Sequence, residues 1–205
     1  MKFLLGTKKY MTEIFGDDGT VQPVTVVGIG PETVTQVKTK AKDGYDAVQV
    51  GFGSRKSSRL SKAVRGHLKG LGDLRYLREY RTTGKDEVKR GDSISTEIFK
   101  VGDFVQVRAV SKAKGFQGVV KRHGFSGGSR THGQKHSERE PGAIGGGGRA
   151  GGRVVKGMRM AGRMGGRPIT IRNVKVIDVD MQENILMLRG AVPGVRGALL
   201  QITAK

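Results

Sequence analysis

The chain has 205 residues, with 38 Lys and Arg against 18 Asp and Glu, a formal charge of +20, 34 Gly and no Cys or Trp. Without cysteine there is no disulfide scaffold, zinc knuckle or thiol nucleophile, and no apolar run reaches the ~18–20 residues that a bilayer helix requires. A charge of this size on so short a chain repels itself unless a polyanion neutralises it, which makes nucleic acid the expected partner.

Residues 1–53 carry 6 basic and 6 acidic side chains and are neutral overall. The opening, MKFLLGTKKYMTEIF, has too short an apolar core for a secretory signal and breaks at Lys8 and Lys9, so a soluble cytoplasmic protein is expected. Strands are expected at Val24-Thr25-Val26 and Val34-Thr35-Gln36-Val37, both β-branched and bounded by Gly or Pro. Another is expected at Ala47-Val48-Gln49-Val50, after an Asp43-Gly44 turn.

Residues 54–90 hold 12 basic and 4 acidic side chains, net +8. Their Leu and Tyr recur at three- and four-residue spacings. The pattern predicts a short helix capped by Asp73 that carries Leu74, Leu77 and Tyr80, with Arg75, Arg78 and Arg81 on other faces. The segment is thus expected to be a small, basic, partly helical insertion, with Gly66, Gly70 and Gly72 keeping any helix short. Acidic pairs at Asp17-Asp18 and Asp86-Glu87 are expected in turns or at the surface.

After Gly102-Asp103, the group Phe104, Val105 and Val107 reads as barrel core. Residues 112–167 then bring 13 basic and 2 acidic side chains, net +11, and 17 of the glycines. That composition buries too little apolar surface to offset its own backbone entropy, so the segment is expected to order on a partner. Gly lets backbone approach phosphates closely while Lys and Arg neutralise them, which suits a folded RNA. From 169 to 189 the sequence ITIRNVKVIDVDMQENILMLR predicts a long alternating strand, a turn near Gln182-Glu183-Asn184 and a second strand. Leu199-Leu200-Gln201-Ile202 supplies a last one, and Met181 and Met187 are expected in the core.

Six or more short strands without regular strand–helix alternation favour an antiparallel barrel or sandwich. The expected organisation is a mainly β protein. Residues 1–111 form the first part of a barrel, interrupted by the insertion 54–90. Residues 112–167 form a long irregular basic extension, and residues 168–205 close the barrel.

Catalytic and metal motifs are weak. Gly146-Gly147-Gly148-Arg149-Ala150-Gly151 fits G-x-G-x-x-G by letter but lacks the strand–turn–helix context of a dinucleotide site. His132 and His136 stand four apart with Gly133 between them, so no metal centre is expected there. Ser126, Ser129, Thr131 and Ser137 have no buried carboxylate to orient them, and no catalytic group is expected. No cofactor, membrane or small-molecule substrate is called for.

Ordered motifs then carry a resemblance. Ser111-Lys112-Ala113-Lys114-Gly115-Phe116-Gln117-Gly118-Val119-Val120-Lys121-Arg122 resembles the S-K-G-K-G-F-x-G-x-x-K-R block of the universal large-subunit ribosomal protein L-three family. Thr131-His132-Gly133, His136, Pro141-Gly142-Ala143-Ile144-Gly145, Arg153-Val154-Val155-Lys156-Gly157 and Met160-Ala161-Gly162 follow in that family's order. Leu5-Gly6-Thr7-Lys8-Lys9-Tyr10-Met11-Thr12 is similar to its G-x-K-x-G-M-T opening, and Gly190-Ala191-Val192-Pro193-Gly194 to its closing segment. Ala113 stands where the family usually has Gly.

The resemblance implies a translation-protein-type β-barrel with an insertion and a long central extension. It implies binding to large-subunit ribosomal RNA early in assembly, beside other ribosomal proteins, with the extension directed toward the peptidyl-transferase centre. Peptide-bond chemistry would belong to the RNA.

Expected RNA contacts are Lys8 and Lys9 in the opening and Lys112, Lys114, Lys121 and Arg122 at the base of the extension. Phe116 and Phe125 are expected to stack or pack, and Arg130, His132, His136 and Arg139 to hydrogen-bond or stack. Arg149, Arg153, Lys156, Arg159, Arg163 and Arg167 would line the distal and return arms. Composition by itself also leaves open a free RNA chaperone or single-strand binder that uses the Gly/Arg segment.

Overall fold

The computed structural model describes residues 2–16, 19–82, 88–145 and 151–204. In chain order the elements are β1 (Phe3–Phe15), β2 (Val21–Gly28), β3 (Glu32–Lys38), α1 (Lys40–Asp43), β4 (Ala47–Ser54), α2 (Lys62–His67), β5 (Leu74–Arg81), β6 (Ser93–Ile94) and β7 (Phe104–Val110). They continue with β8 (Phe116–Gln117), α3 (Val119–His123), β9 (Gly162–Arg163), β10 (Pro168–Asp180), β11 (Ile185–Arg189) and β12 (Leu199–Ala204). Single 3₁₀ turns lie at Ser57–Arg59 and Thr96–Ile98. The fold is mainly β, as expected, with a closed antiparallel barrel in the order β1-β12-β7-β10-β11-β2.

Two 13-residue strands, β1 and β10, divide their length between their two neighbours. The first part of β1 pairs with β12 (Phe3↔Thr203 to Thr7↔Leu199), and from Thr7 onward it pairs with β2, with an irregularity between Lys8 and Tyr10. In the same way β10 pairs with β7 from Pro168 to Lys175 and with β11 from Val176 onward. Its register slips between Ile171 and Val174, where Asn173 takes φ 57°. Such irregularities bend and twist a strand, which is how a sheet turns a barrel corner.

A second sheet, ordered β5-β4-β3-β6, shares one core with the barrel. Phe3, Leu4 and Leu5 are buried in succession because β1 is covered on both faces. On one side Phe3 stacks on Tyr80 of β5, with ring centroids 5.1 Å apart. Val105, Val107, Leu186, Leu188, Leu200 and Ile202 fill the same core.

Several expectations need correction. Residues 74–81 are a strand, not a helix capped by Asp73: β5 pairs residue for residue with β4 from Ala47↔Arg81 to Ser54↔Leu74. Leu74, Tyr76 and Tyr80 share its inward parity, and a four-residue spacing fits strand and helix alike. The β4 edge decides between them, because it offers the segment a full set of backbone partners. The helix of the insertion is α2 instead, whose N-cap Ser61 accepts the Val64 N–H at 3.4 Å.

Phe104 is exposed, since it falls out of phase with buried Val105, Val107 and Ala109. Met181 is exposed in the β10–β11 turn, and Met187 is half-buried. The opening residues form the central strand β1, although their sequence shows no strict alternation. Asp17-Asp18, Asp86-Glu87 and the Gly-rich stretch 146–150, with Arg149, lie outside the described residues.

The chain divides into two compact units. One comprises the residues through Val110 and those from Pro168 onward; the other is Ser111–Arg167.

Candidate nucleic-acid interface

The Ser111–Arg167 unit holds more local structure than its composition implies. Its two ends run side by side: Ser111 N–H donates to the Arg167 carbonyl at 2.9 Å and Lys114 N–H to the Met164 carbonyl at 2.9 Å. Met164 N–H returns a bond to Gly115 at 2.9 Å, and β8 pairs with β9 as Phe116↔Arg163 and Gln117↔Gly162. Close packing makes glycine necessary at Gly165, where φ is 71° and a Cβ would collide with the Lys112 carbonyl. Ala113 meets no such demand: it is absent from the residues with positive φ, while its neighbour Gly115 takes φ 69°.

Helix α3 follows. Val119 is its buried anchor, and Gly124 ends it at φ 74°, donating its N–H to the Val120 carbonyl at 3.0 Å. Lys121, Arg122 and His123 occupy its last turn, where cations face the negative end of the peptide dipoles. Arg122 Nη1 donates to the Met160 carbonyl at 2.6 Å, and His123 Nε2 lies 3.1 Å from the same oxygen. Arg122 therefore ties the outgoing and returning strands together. Phe125 packs on the His123 ring at 5.9 Å, whereas Phe116 is exposed.

Beyond α3 the chain folds back through Gly128, whose N–H donates to the Glu138 carbonyl at 3.0 Å. A cleft of about 410 Å³ forms there, lined among others by Phe125, Gln134, Ser137 and Glu140. His132 and His136 are exposed, His132 with φ 59°, and they lie on no helix. No three metal-ligating side chains cluster among the described residues.

The cations are placed for solvent or a ligand. Lys112, Lys114, Lys121, Arg130, Arg139, Arg153, Lys156, Arg159, Arg163 and Arg167 are all exposed. Among the described residues of this unit, the one ion pair joins Arg130 Nε to Glu138 Oε2 at 3.8 Å, with both side chains exposed. Exposed pairs of this kind contribute little stability. In the other unit, Lys9 is exposed, while the Lys8 ammonium donates to the Val192 carbonyl at 2.9 Å and reaches that of Gly194 at 3.5 Å. Lys8 thus fastens β1 to the loop before β12.

No residue of 54–90 stands out from the sequence as an individual contact, although the +8 charge of the segment was legible. The structure gathers four of its cations, Arg55, Lys56, Arg59 and Arg75, at one cleft. The long-range pairing of β4 with β5 brings Arg75 to the other three, and local sequence carries no signal for that meeting.

A closed β-barrel and a second unit rich in exposed cations and poor in carboxylates define a class: a β-barrel protein that carries a basic second unit. Comparison with known proteins agrees. Residues 83–185 match the family described as Ribosomal protein L3. "Large ribosomal subunit protein uL3" of Herpetosiphon aurantiacus is 46% identical over 201 residues, covering 98% of this chain and 94% of that protein. The protein of the same name from Acidothermus cellulolyticus is 48% identical over 204 residues, covering 98% and 91%. That from Nostoc sp. is 48% identical over 201 residues, covering 97% and 94%. The chain belongs to the Ribosomal protein L3 family, whose members are structural components rather than enzymes.

Proposed function

We propose that the chain binds large-subunit ribosomal RNA through the Ser111–Arg167 unit, with the barrel as its anchor. In this reading it acts early in subunit assembly, beside neighbouring ribosomal proteins, and its basic unit extends toward the peptidyl-transferase centre. The observation that carries the reading is the run of exposed cations on a Gly-rich backbone, of which, among the described residues, only Arg130 pairs with a carboxylate. Each Lys or Arg that meets a phosphate releases a counterion, so affinity comes with a steep salt dependence.

Lys112, Lys114 and Lys121 would meet phosphates beside the paired base of the unit. Arg153, Lys156, Arg159, Arg163 and Arg167 would do so on the returning strand. Phe116, exposed and held by the β8–β9 pairing, would offer a ring for a base. Arg122 and Lys8 would hold protein segments in place while adding positive potential.

Binding of the full chain to transcribed large-subunit ribosomal RNA, measured across salt concentrations, tests this reading. Replacing Lys112, Lys114 and Lys121 together by Gln should flatten the log–log slope by about two to three. An unchanged slope would refute the phosphate role, and equal affinity for any short single strand would favour the RNA-chaperone alternative.

A further inference from the structure

The barrel-bearing unit has a basic cleft of its own. Where β4 ends at Ser54, the chain leaves the sheet with the Arg55 N–H donating to the Asp73 carbonyl at 2.9 Å. It then enters the 3₁₀ turn Ser57–Arg59, closed by Arg59 N–H to Lys56 carbonyl (2.9 Å) and Leu60 N–H to Ser57 carbonyl (3.0 Å). Leu60, buried just after the turn, pins it to the protein. The turn thereby sets Lys56 and Arg59 opposite the start of β5. A cleft of about 530 Å³ results, lined by Ser54, Arg55, Lys56, Arg59, Arg75 and Tyr76. That volume lies within the ~300–1,000 Å³ range of ligand-holding clefts.

Its lining is unusual for an ordinary solvated surface. Four cations converge, no carboxylate lines the cleft, and none of the four forms an ion pair among the described residues. Four like charges held together repel one another, and a bound anion removes that repulsion. The Arg75 guanidinium lies 4.8 Å from the centroid of the Tyr76 ring, and Tyr76 stacks in turn on buried Phe52 at 6.4 Å. A planar cation is therefore fixed on an aromatic column rooted in the core. Guanidinium planes of this kind accept stacked bases and hydrogen-bond phosphate oxygens in a fork.

We propose that this cleft is a second RNA site, separate from the Ser111–Arg167 unit. It takes the phosphodiester backbone of an unpaired stretch and stacks one base on Arg75. Arg55, Lys56 and Arg59 neutralise the phosphates, and the polar, apolar-poor lining disfavours a lipid or a hydrophobic peptide. The proposal rests on RNA being the partner of this chain.

The test uses the full chain and transcribed large-subunit ribosomal RNA. One variant carries Arg55→Gln, Lys56→Gln and Arg59→Gln, a second carries Lys112→Gln, Lys114→Gln and Lys121→Gln, and a third combines all six. The three cleft side chains are exposed and hold no other element in place, so the cleft variant should melt as the parent does. Its log–log salt slope should fall by about two, at ~0.7 per contact with a single strand, and the combined variant should fall about two further than the extension variant does.

A cleft variant with the parental slope, beside an extension variant whose slope falls, would overturn the second site and leave RNA binding intact. Parental slopes in both would overturn RNA binding through either surface. A cleft effect that vanishes in the combined variant would show one shared footprint and so refute a separate site. Arg75→Lys keeps the charge and removes the planar stack. It should preserve the slope while weakening binding roughly fivefold or more, the equivalent of a lost base stack, and unchanged affinity would refute the stacking role.

Discussion

Glu32 lies fully buried at the start of β3, where Oε1 accepts the Leu5 N–H at 2.5 Å and Oε2 has no partner among the described residues. Burial pushes its carboxyl up to about 9, and the Leu5 N–H only partly opposes this. The folded protein therefore keeps a proton that the unfolded chain releases above its ordinary 4.5. A raised carboxyl makes stability fall with rising pH across that window, by at most about 1.4 kcal/mol per pH unit. Glu32→Gln should remove this slope. Chemical denaturation at pH 5 and pH 8 should show the parent losing about 2–4 kcal/mol more than the variant, and parallel losses would mean that Glu32 is ionised in the folded state.

Glu79 shows the opposite sign. Lys38 Nζ sits 2.8 Å from its Oε1, and the Tyr45 hydroxyl donates to its Oε2 at 2.8 Å. The bond from Lys38, then that from Tyr45, holds the Glu79 carboxyl below its ordinary 4.5. Its contribution to stability is present above the unfolded value and is lost as pH falls through the folded one. Lys38→Met should move the Glu79 midpoint upward in an NMR titration, and an unmoved midpoint would discount the pair.

At the scale of elements, β-branched runs beside Gly, Pro or a turn made β2, β3 and β4 legible in the sequence, alternation did so for β7 and β10, and apolar runs for β11 and β12. Two of the longer strands and one side chain escaped it. β1 is buried on both faces at its start, so Phe3-Leu4-Leu5 shows no alternation. β5 carries Leu and Tyr at spacings that also fit a helix, and only its partner β4 settles the matter. Phe104 is hydrophobic by type but outward by parity.

Two substitutions separate inward from outward positions in the barrel. Leu200→Ala, in the fully buried core, should cost about 2–5 kcal/mol. Phe104→Ser should stay within about 0.5 kcal/mol in the same denaturation experiment. Similar losses for both would contradict the placement of β7.

In the Ser111–Arg167 unit, hydrogen exchange should protect the amides of Lys114, Met164, Arg122 and Gly124, which donate within the paired base and α3. The exposed amides at 142–145 should exchange freely. Uniformly fast exchange would mean that the base forms only on RNA.

For the whole molecule, net charge sorts by segment: +11 over residues 112–167, +8 over 54–90, and near neutrality elsewhere. The division into barrel and basic segment follows from that sorting, because a core tolerates little charge and a polyanion surface requires much. Which exposed cations act together was legible only in part. Lys112, Lys114 and Lys121 are neighbours in sequence, whereas Arg55 and Arg75 meet through strand pairing. Lys8, expected from the sequence as an RNA contact, also donates to backbone carbonyls, a tie that only the fold reveals.

We propose that barrel and basic unit together place the chain in the large subunit. Gradient cosedimentation of the tagged full chain, beside the variant with Lys112, Lys114, Lys121, Arg153, Lys156 and Arg159 changed to Gln, tests it most directly. The parent should travel with large subunits while the folded variant stays largely at the top of the gradient. A variant that enters large subunits as fully as the parent, or a parent found only with free RNA, would contradict the claim.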